Sequence, residues 1–217
     1  MNSTADQQLA GAAPEAPSFT YEEVKGALEA NHANTLVLLD CLRQAMEPRP
    51  FREAEEAVAG GAYMGVTMQT PHALYDILLA HGAVEAIAVP EEAPEVATGD
   101  ADSEGVLPDQ PVDYLLATTE LGRRALEEFE PTKRFAELLA AEPKAYGPVY
   151  GQVLDLCIDG ASKDVIETAL QGQEALQFPK QIYPGYFISK LETIDGISWD
   201  GLWRTTEPGQ RMRALLA

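Results

Sequence analysis

Apolar residues recur at helical spacing over residues 19–46, and this pattern predicts the first helical stretch of the chain. Thr20 followed by Glu23 matches the capping box that opens a helix. Within the stretch, residues 36–42 are apolar on almost every side, which predicts a helix buried all round. Residues 47–50 contain two prolines and end the helical stretch, because proline cannot continue a helix.

Two shorter helices are predicted next. Residues 51–61 favour a helix that stops at Gly60, since glycine commonly follows the last helical residue. Thr70 is a preferred N-cap, and Pro71 suits the first helical position. Gly82 then supplies the stop of the second of these helices.

Apolar and polar residues alternate from Ala83 and again from Val112, which predicts two strands. Thr119 suits the N-cap of a helix over residues 121–129. Residues 90–111, between the strands, hold no basic residue and many carboxylates: Glu91, Glu92, Glu95, Asp100, Asp102, Glu104 and Asp109. This composition predicts a long, flexible, strongly acidic hairpin loop.

Two phrases near opposite ends of the chain read almost alike: ATTELGRRAL at residues 117–126 and RTTEPGQRMRAL at residues 204–215. The second half also repeats the order of elements, with a helix ended by Gly160, a helix between Ser162 and Gly172, a helix ended by Gly196, a hairpin at Asp200-Gly201 and a closing helix. Caps, stops and cysteines pair in order: Cys41 with Cys157, Gly60 with Gly172, Gly82 with Gly196 and Thr119 with Thr206. The pattern predicts two copies of one unit in tandem.

Residues 114–123, YLLATTELGR, match the phrase Y-x-L-x-x-T-x-x-G-R that is typical of winged-helix regulators. Over residues 34–129, the order of three helices, strand, loop, strand and helix also resembles the winged-helix family, in particular its MarR and PadR groups. The resemblance implies that the third helix is the recognition helix and that the hairpin is the wing. It describes a local structure and no particular chemistry.

These observations predict a mainly α fold with small antiparallel β-hairpins (α+β), built from two tandem winged-helix units joined by a helix. The expected organisation is a disordered tail over residues 1–18, a first unit over 19–130 with its acidic wing at 90–111, a linker helix over 131–147 and a second unit over 148–217.

A formal net charge of −20 disfavours contact with nucleic acid and with anionic membranes. The third helix of the first unit, residues 71–81, holds no lysine or arginine, whereas DNA readers need cationic or amide side chains there. The second unit is the better candidate for nucleic-acid contact, and its candidate residues are Lys180, Lys190, Arg204 and Arg211.

Aromatic side chains accompany those cations in the second unit. Pro179 and Pro184 favour an extended segment there, and tryptophan and tyrosine are common at binding hot spots. The two tryptophans flank the predicted hairpin turn and are expected on one face of it. We therefore expect a surface for a protein partner at Tyr183, Tyr186, Trp199 and Trp203.

No catalytic or metal-binding constellation is recognisable. The histidines His32, His72 and His81 lack the spacing of a zinc motif, and no nucleophile elbow or phosphate-binding loop occurs. Cys41 and Cys157 lie far apart in apolar runs and are read as buried thiols. We expect no enzymatic activity, no cofactor and no membrane contact. Two such buried thiols without a disulfide framework predict a cytoplasmic protein.

Three functions remain open at this point. The acidic charge favours a non-enzymatic adaptor that binds another protein or a second copy of itself, similar to tandem winged-helix adaptors of segregation and condensation complexes. The alternative is a DNA-binding transcriptional regulator, acting as a dimer through the cations of the second unit. A third reading is an acidic protein that imitates DNA.

Overall fold

The computed structural model describes residues 18–89, 114–177 and 180–216. Its helices are α1 (Tyr21–Glu29), α2 (His32–Gln44), α3 (Phe51–Ala59), α4 (Pro71–Ala80), α5 (Glu120–Glu128), α6 (Pro131–Ala141), α7 (Tyr146–Leu156), α8 (Lys163–Leu170), α9 (Pro184–Thr193) and α10 (Glu207–Ala214). Its strands are β1 (Arg49–Pro50), β2 (Val84–Ala88), β3 (Tyr114–Thr118), β4 (Ile197–Trp199) and β5 (Trp203–Thr205). Short 3-10 turns occur at Met64–Val66 and Glu174–Leu176. The fold is mainly helical with small antiparallel sheets, as predicted. The predicted acidic wing and nearly all of the predicted tail lie outside the described residues.

The first helical stretch is two helices rather than one. Thr20 and Glu23 form the predicted capping box at the start of α1. The chain then leaves the helix at Asn31, whose side chain accepts a hydrogen bond from the Ala33 N–H at 3.1 Å and opens α2. An asparagine side chain competes with the helical hydrogen bonds of the backbone, and apolar spacing alone does not reveal this break.

Helix α2 lies at the centre of the first hydrophobic cluster. Val37, Cys41 and Leu42 are fully buried there, as predicted for the apolar run, whereas Leu36 is only partly buried. The accompanying sheet is antiparallel, with strand order β1-β3-β2. The two residues of β1 were not predicted as a strand; one of them is Pro50, which is tolerated because β1 is an edge strand.

A second hydrophobic cluster is formed by α6–α10 and the β4–β5 hairpin. Helix α6 differs from the predicted linker, because it ends at Ala141 and its Phe135 is fully buried in this cluster. Helix α7 already begins at Tyr146. The first half (α1–α5 with β1–β3) and the second half (α6–α10 with β4 and β5) therefore each have five helices and their own core within the described residues.

The repeated Thr-Thr-Glu-x-Gly phrase performs the same structural task in both halves. Thr118 Oγ1 donates to the Leu42 carbonyl at 2.7 Å, and Thr205 Oγ1 donates to the Leu154 carbonyl at 2.6 Å. Each bond ties the last strand of its half to the central helix, α2 or α7. The next threonine of each phrase is the N-cap of the closing helix, α5 or α10.

The glycines of the two phrases lie against equivalent carbonyl groups. A Cβ atom at Gly122 would overlap the Ala83 carbonyl oxygen, and a Cβ atom at Gly209 would overlap the Gly196 carbonyl oxygen. Only glycine permits this close approach of the closing helix to the preceding backbone. The echo in the sequence therefore records shared local structure.

Two of the predicted pairings between the halves are shifted. The Thr118 N–H donates to the Ala45 carbonyl at 2.7 Å, and the Thr205 N–H donates to the Cys157 carbonyl at 2.9 Å. Ala45, and not Cys41, is thus the counterpart of Cys157. Cys41 lies one helical turn before the position that is equivalent to Cys157. Both cysteines lie in apolar helices, and this similarity produced the wrong pairing.

The stop after the third helix is shifted by one residue. Gly82 and Asp195 both have a positive φ, of 71° and 62°, and their carbonyl groups accept from Thr119 and Thr206 respectively. Asp195 is therefore the counterpart of Gly82, and the predicted stop at Gly196 is wrong. Aspartate enters the left-handed region more readily than most residues, which the glycine-based prediction overlooked.

Candidate functional site

The two halves meet where α2 packs against α9, and this contact is called the junction below. Tyr63, which follows α3, donates its hydroxyl hydrogen to Asp195 Oδ2 at 2.8 Å. A second tie joins α6 to α1, since Arg134 Nη1 lies 3.5 Å from Glu29 Oε1. The halves are therefore joined by side-chain contacts as well as by the chain itself.

Asp195 is a buried carboxylate at the junction, with 5% of its surface exposed. Burial raises the pKa of Asp195, while the hydrogen bond from Tyr63 and the charges of Arg43 and Arg211 oppose that rise. The charge of Glu207 acts in the same direction as burial. Ionisation of Asp195 is thus less favourable at the junction than in water.

The outward face of α9 is partly covered by the first half. Ser189, Glu192 and Thr193 line a cleft whose opposite wall includes Leu36 of α2. In the winged-helix resemblance, α9 is the third helix of the second unit, and it would need an open face to enter a DNA groove. The junction therefore restricts the helix on which a DNA-binding function would depend.

The two predicted arginines are already paired with carboxylates of the same chain. Arg204 Nε lies 2.9 Å from Asp200 Oδ2, and its Nη1 donates to the Asp159 carbonyl at 3.2 Å. Arg211 Nη1 lies 2.5 Å from Glu207 Oε1. Arg211 also approaches Glu130 Oε1 at 3.6 Å. Binding a phosphate would require these pairs to separate or to share their cation.

The two predicted lysines are exposed. Lys190 Nζ lies 5.6 Å from the centre of the Tyr186 ring, within the range of a cation–π contact. Within residues 18–89, 114–177 and 180–216, neither Lys180 nor Lys190 forms an ion pair. The nucleic-acid role of these four cations remains a prediction.

The predicted partner surface divides into exposed and anchored side chains. Tyr183 is 71% exposed and Trp199 is 53% exposed. Trp199 pairs with Trp203 across the β4–β5 hairpin, at 5.1 Å between ring centroids, which confirms that both lie on one face. Trp203 packs against the second hydrophobic cluster, so Trp199 and Tyr183 offer the free aromatic area.

Tyr186 is held inside the second half. Its hydroxyl donates to Glu142, which also accepts a hydrogen bond from Tyr150 at 2.8 Å. Burial, together with the hydrogen bond to Glu142, raises the pKa of Tyr186 to about 12. Its ring packs edge-on against Tyr146 and Phe187. Tyr186 is therefore a structural residue more than a contact for a partner.

The third helix of the first half, α4, presents acidic rather than basic chemistry. His72 Nδ1 lies 3.1 Å from Glu55 Oε1, and His72 Nε2 lies 3.7 Å from Asp76 Oδ2. Helix α4 holds no lysine or arginine. Both of these contacts of His72 are made to carboxylates. Such a face repels phosphate groups.

Both cysteine thiols are buried, as predicted. Burial raises the pKa of Cys41 to about 12 and that of Cys157 to about 11. The reactive thiolate form is therefore scarce at neutral pH. In the described parts of the chain, no group of three or more histidine, cysteine or carboxylate side chains is placed to hold a metal ion.

The helices of the described residues include none with the length and apolar composition of a membrane span. Comparison of the chain with protein-family models, with curated protein sequences and with solved structures gives no match. The junction and the exposed side chains of Tyr183 and Trp199 are thus the features of this structure on which a function can be argued.

Sequence reasoning missed the residues that build the junction. Tyr63 and Asp195 lie far apart along the chain, and only the packing of α2 on α9 brings them together. Leu36 was assigned to a core, although it is partly exposed at the cleft. The one available signal was an aspartate at a helix stop where glycine is the usual residue.

Proposed function

We propose that the chain consists of two winged-helix units in tandem and acts as a non-enzymatic protein–protein interaction module. Support for the tandem arrangement comes from the matching order of helices and hairpin in the two halves. Further support comes from the equivalent hydrogen bonds of Thr118 and Thr205. Two such units in contact at the junction form an adaptor with several separate surfaces.

The observation that carries the proposed interaction role is the position of α9 against α2. A third helix whose outer face is partly covered is poorly placed for a DNA groove. Exposed aromatic area at Tyr183 and Trp199 offers contact to a protein instead. The net charge of −20 favours a partner with a basic surface.

Site-specific photocrosslinking in the cells that express the protein tests this proposal. A benzophenone amino acid is placed at Tyr183 or at Trp199, and in a control at Val165, which is 51% exposed on α8. The proposal expects a discrete protein adduct from the two aromatic positions and none from the control. Equal or absent adducts at all three positions would count against the aromatic surface.

DNA binding is the second candidate, and the exposure of Lys180 and Lys190 favours it. Both lysines lie at or near α9 and, among the described residues, lack a carboxylate partner. In this alternative, a dimer gathers two such lysine pairs and compensates for the acidic remainder of the chain. Reversing both charges would then abolish binding to duplex DNA.

A further inference from the structure

A cleft lies at the junction beside the contact between α2 and α9. Its volume is about 290 Å³, and it is lined by His32, Ala33, Leu36, Val66, Ser189, Glu192 and Thr193. Sites for whole small molecules typically start at about 300 Å³. The cleft lies at this lower bound, so it has room for one or two side chains of a partner.

One wall of the cleft is apolar and open to solvent. Leu36 contributes from α2, and Val66 is 50% exposed at the end of the short 3-10 turn. Met68, two residues further along, is 99% exposed. Contiguous apolar side chains at the surface mark interaction sites, because their contact with water is unfavourable until a partner covers them.

The other wall carries a carboxylate without a cation. Burial alone raises the pKa of Glu192, with no nearby charge lowering it. Among the described residues, Glu192 forms no ion pair and its side chain forms no hydrogen bond. A partially desolvated carboxylate of this kind is stabilised by an incoming cation. The remaining titratable group of the lining, His32, is exposed on α2.

We propose that this cleft binds a segment of a partner protein that presents an apolar side chain beside a lysine or arginine. The apolar side chain contacts Leu36 and Val66, and the cation pairs with Glu192. The inference rests on the proposed interaction function and names the chemistry of its partner. The strong negative charge of the whole chain steers a basic segment towards the cleft and repels an acidic one.

Titration of the isotope-labelled full-length protein with short peptides, followed by amide chemical shifts, tests the proposal. The probe alternates leucine and arginine. One control peptide has glutamine in place of arginine, and another is made of lysine only. We expect the leucine–arginine peptide to shift the amides of Ala33, Val66 and Ser189 in a saturable way at millimolar concentration. The controls should bind more weakly and without preference for these amides.

Two variants separate the roles of the walls. Glu192→Gln should weaken binding of the leucine–arginine peptide about tenfold, because a charge-assisted hydrogen bond is lost. Val66→Ser should weaken it several-fold through loss of apolar contact. The matched controls are Glu137→Gln and Val165→Ser, which alter an exposed carboxylate and an equally exposed valine elsewhere. They should leave the affinity unchanged.

The outcomes distinguish the cleft from the wider proposal. Saturable shifts at the cleft that are weakened by both variants, but by neither control, support the inference. Shifts confined to Tyr183 and Trp199 would overturn the cleft while leaving a protein-binding function in place. No saturable shift, or equal weakening by Glu137→Gln, would also overturn it. Failure of the interaction function itself would show as absence of adducts both at the two aromatic positions and at Val66, when the benzophenone amino acid is also placed at this residue of the cleft.

Discussion

At the scale of single residues, Gly122 and Gly209 explain why one phrase occurs twice. We expect Gly122→Ala and Gly209→Ala each to destabilise the protein by about 1–3 kcal/mol, because the new methyl group would overlap a backbone carbonyl oxygen. Urea denaturation measures the change in free energy of unfolding.

The control for this prediction is Gly26→Ala. Gly26 lies inside α1 with open space around it, so alanine should stabilise the helix by about 0.5–1 kcal/mol. If all three substitutions changed the free energy of unfolding in the same direction, the close approach of the closing helices would not be the reason for the repeated glycine.

Asp195 makes the stability of the junction depend on pH. Its folded-state pKa is raised by burial above an unfolded value of about 3.9. The folded state therefore binds the proton more tightly, and the stability that this group contributes is lost as the pH rises through the folded pKa. Asp195→Asn does not titrate, tolerates the positive φ and still accepts a hydrogen bond from Tyr63.

We accordingly expect Asp195→Asn to be more stable than the natural chain at neutral pH. The difference in the free energy of unfolding between the two proteins should shrink as the pH falls towards the pKa that Asp195 has in the unfolded chain. Urea denaturation at a series of pH values measures it. A variant that is less stable at neutral pH, or a difference that does not change with pH, would contradict the conclusion that burial makes ionisation of Asp195 unfavourable.

At the scale of elements, the caps determine where helices begin. Thr119→Ala and Thr206→Ala should each cost about 1–2 kcal/mol, because each threonine caps a helix and donates to the backbone of the preceding stop. Thr168→Ala is the matched control, since Thr168 is exposed on α8. It should change stability by less than about 0.5 kcal/mol. Thermal or urea unfolding of the three variants measures the contrast, and equal effects would refute the capping role.

Local signals made most of these elements predictable. Thr70, Ser162 and Thr206 cap helices where the sequence placed them, because capping depends on neighbouring residues alone. The two strands after α4 and their pairing followed from alternation of apolar and polar residues. The Asp200-Gly201 turn likewise produced the β4–β5 hairpin.

Signals that depend on distant contacts were not readable in the sequence. The burial of Phe135 assigns α6 to the second core, whereas the sequence predicted a linker helix over residues 131–147. The cleft needs both Val66 and Glu192, which meet only through the packing of the two halves. Periodicity shows that a helix has an apolar face and does not reveal which neighbour covers it.

At the scale of the whole molecule, the Tyr63–Asp195 hydrogen bond reports on the docking of the halves. A double-mutant cycle of Tyr63→Phe and Asp195→Gly, which removes the carboxylate and tolerates the positive φ, should give a coupling energy of about 0.5–3 kcal/mol, as expected for residues in direct contact. Urea denaturation of the four proteins supplies the values. A coupling energy near zero would mean that the two side chains do not interact in solution.

The charges of the whole molecule argue against a DNA reader. Arg204 and Arg211 are paired with carboxylates of the same chain. Lys180 and Lys190 are two cations on a chain whose net charge is −20. Phosphate-driven binding needs a concentrated positive surface and weakens steeply with salt. The arrangement instead favours basic protein partners.

Binding of the purified protein to random-sequence duplex DNA, measured by fluorescence anisotropy at low and at physiological salt, tests this conclusion most directly. An interaction module with internally paired arginines should give no change in anisotropy even at low salt. Clear binding at low salt that falls steeply as salt is added, and that disappears when Lys180 and Lys190 are both changed to glutamate, would contradict it and favour a DNA-binding regulator.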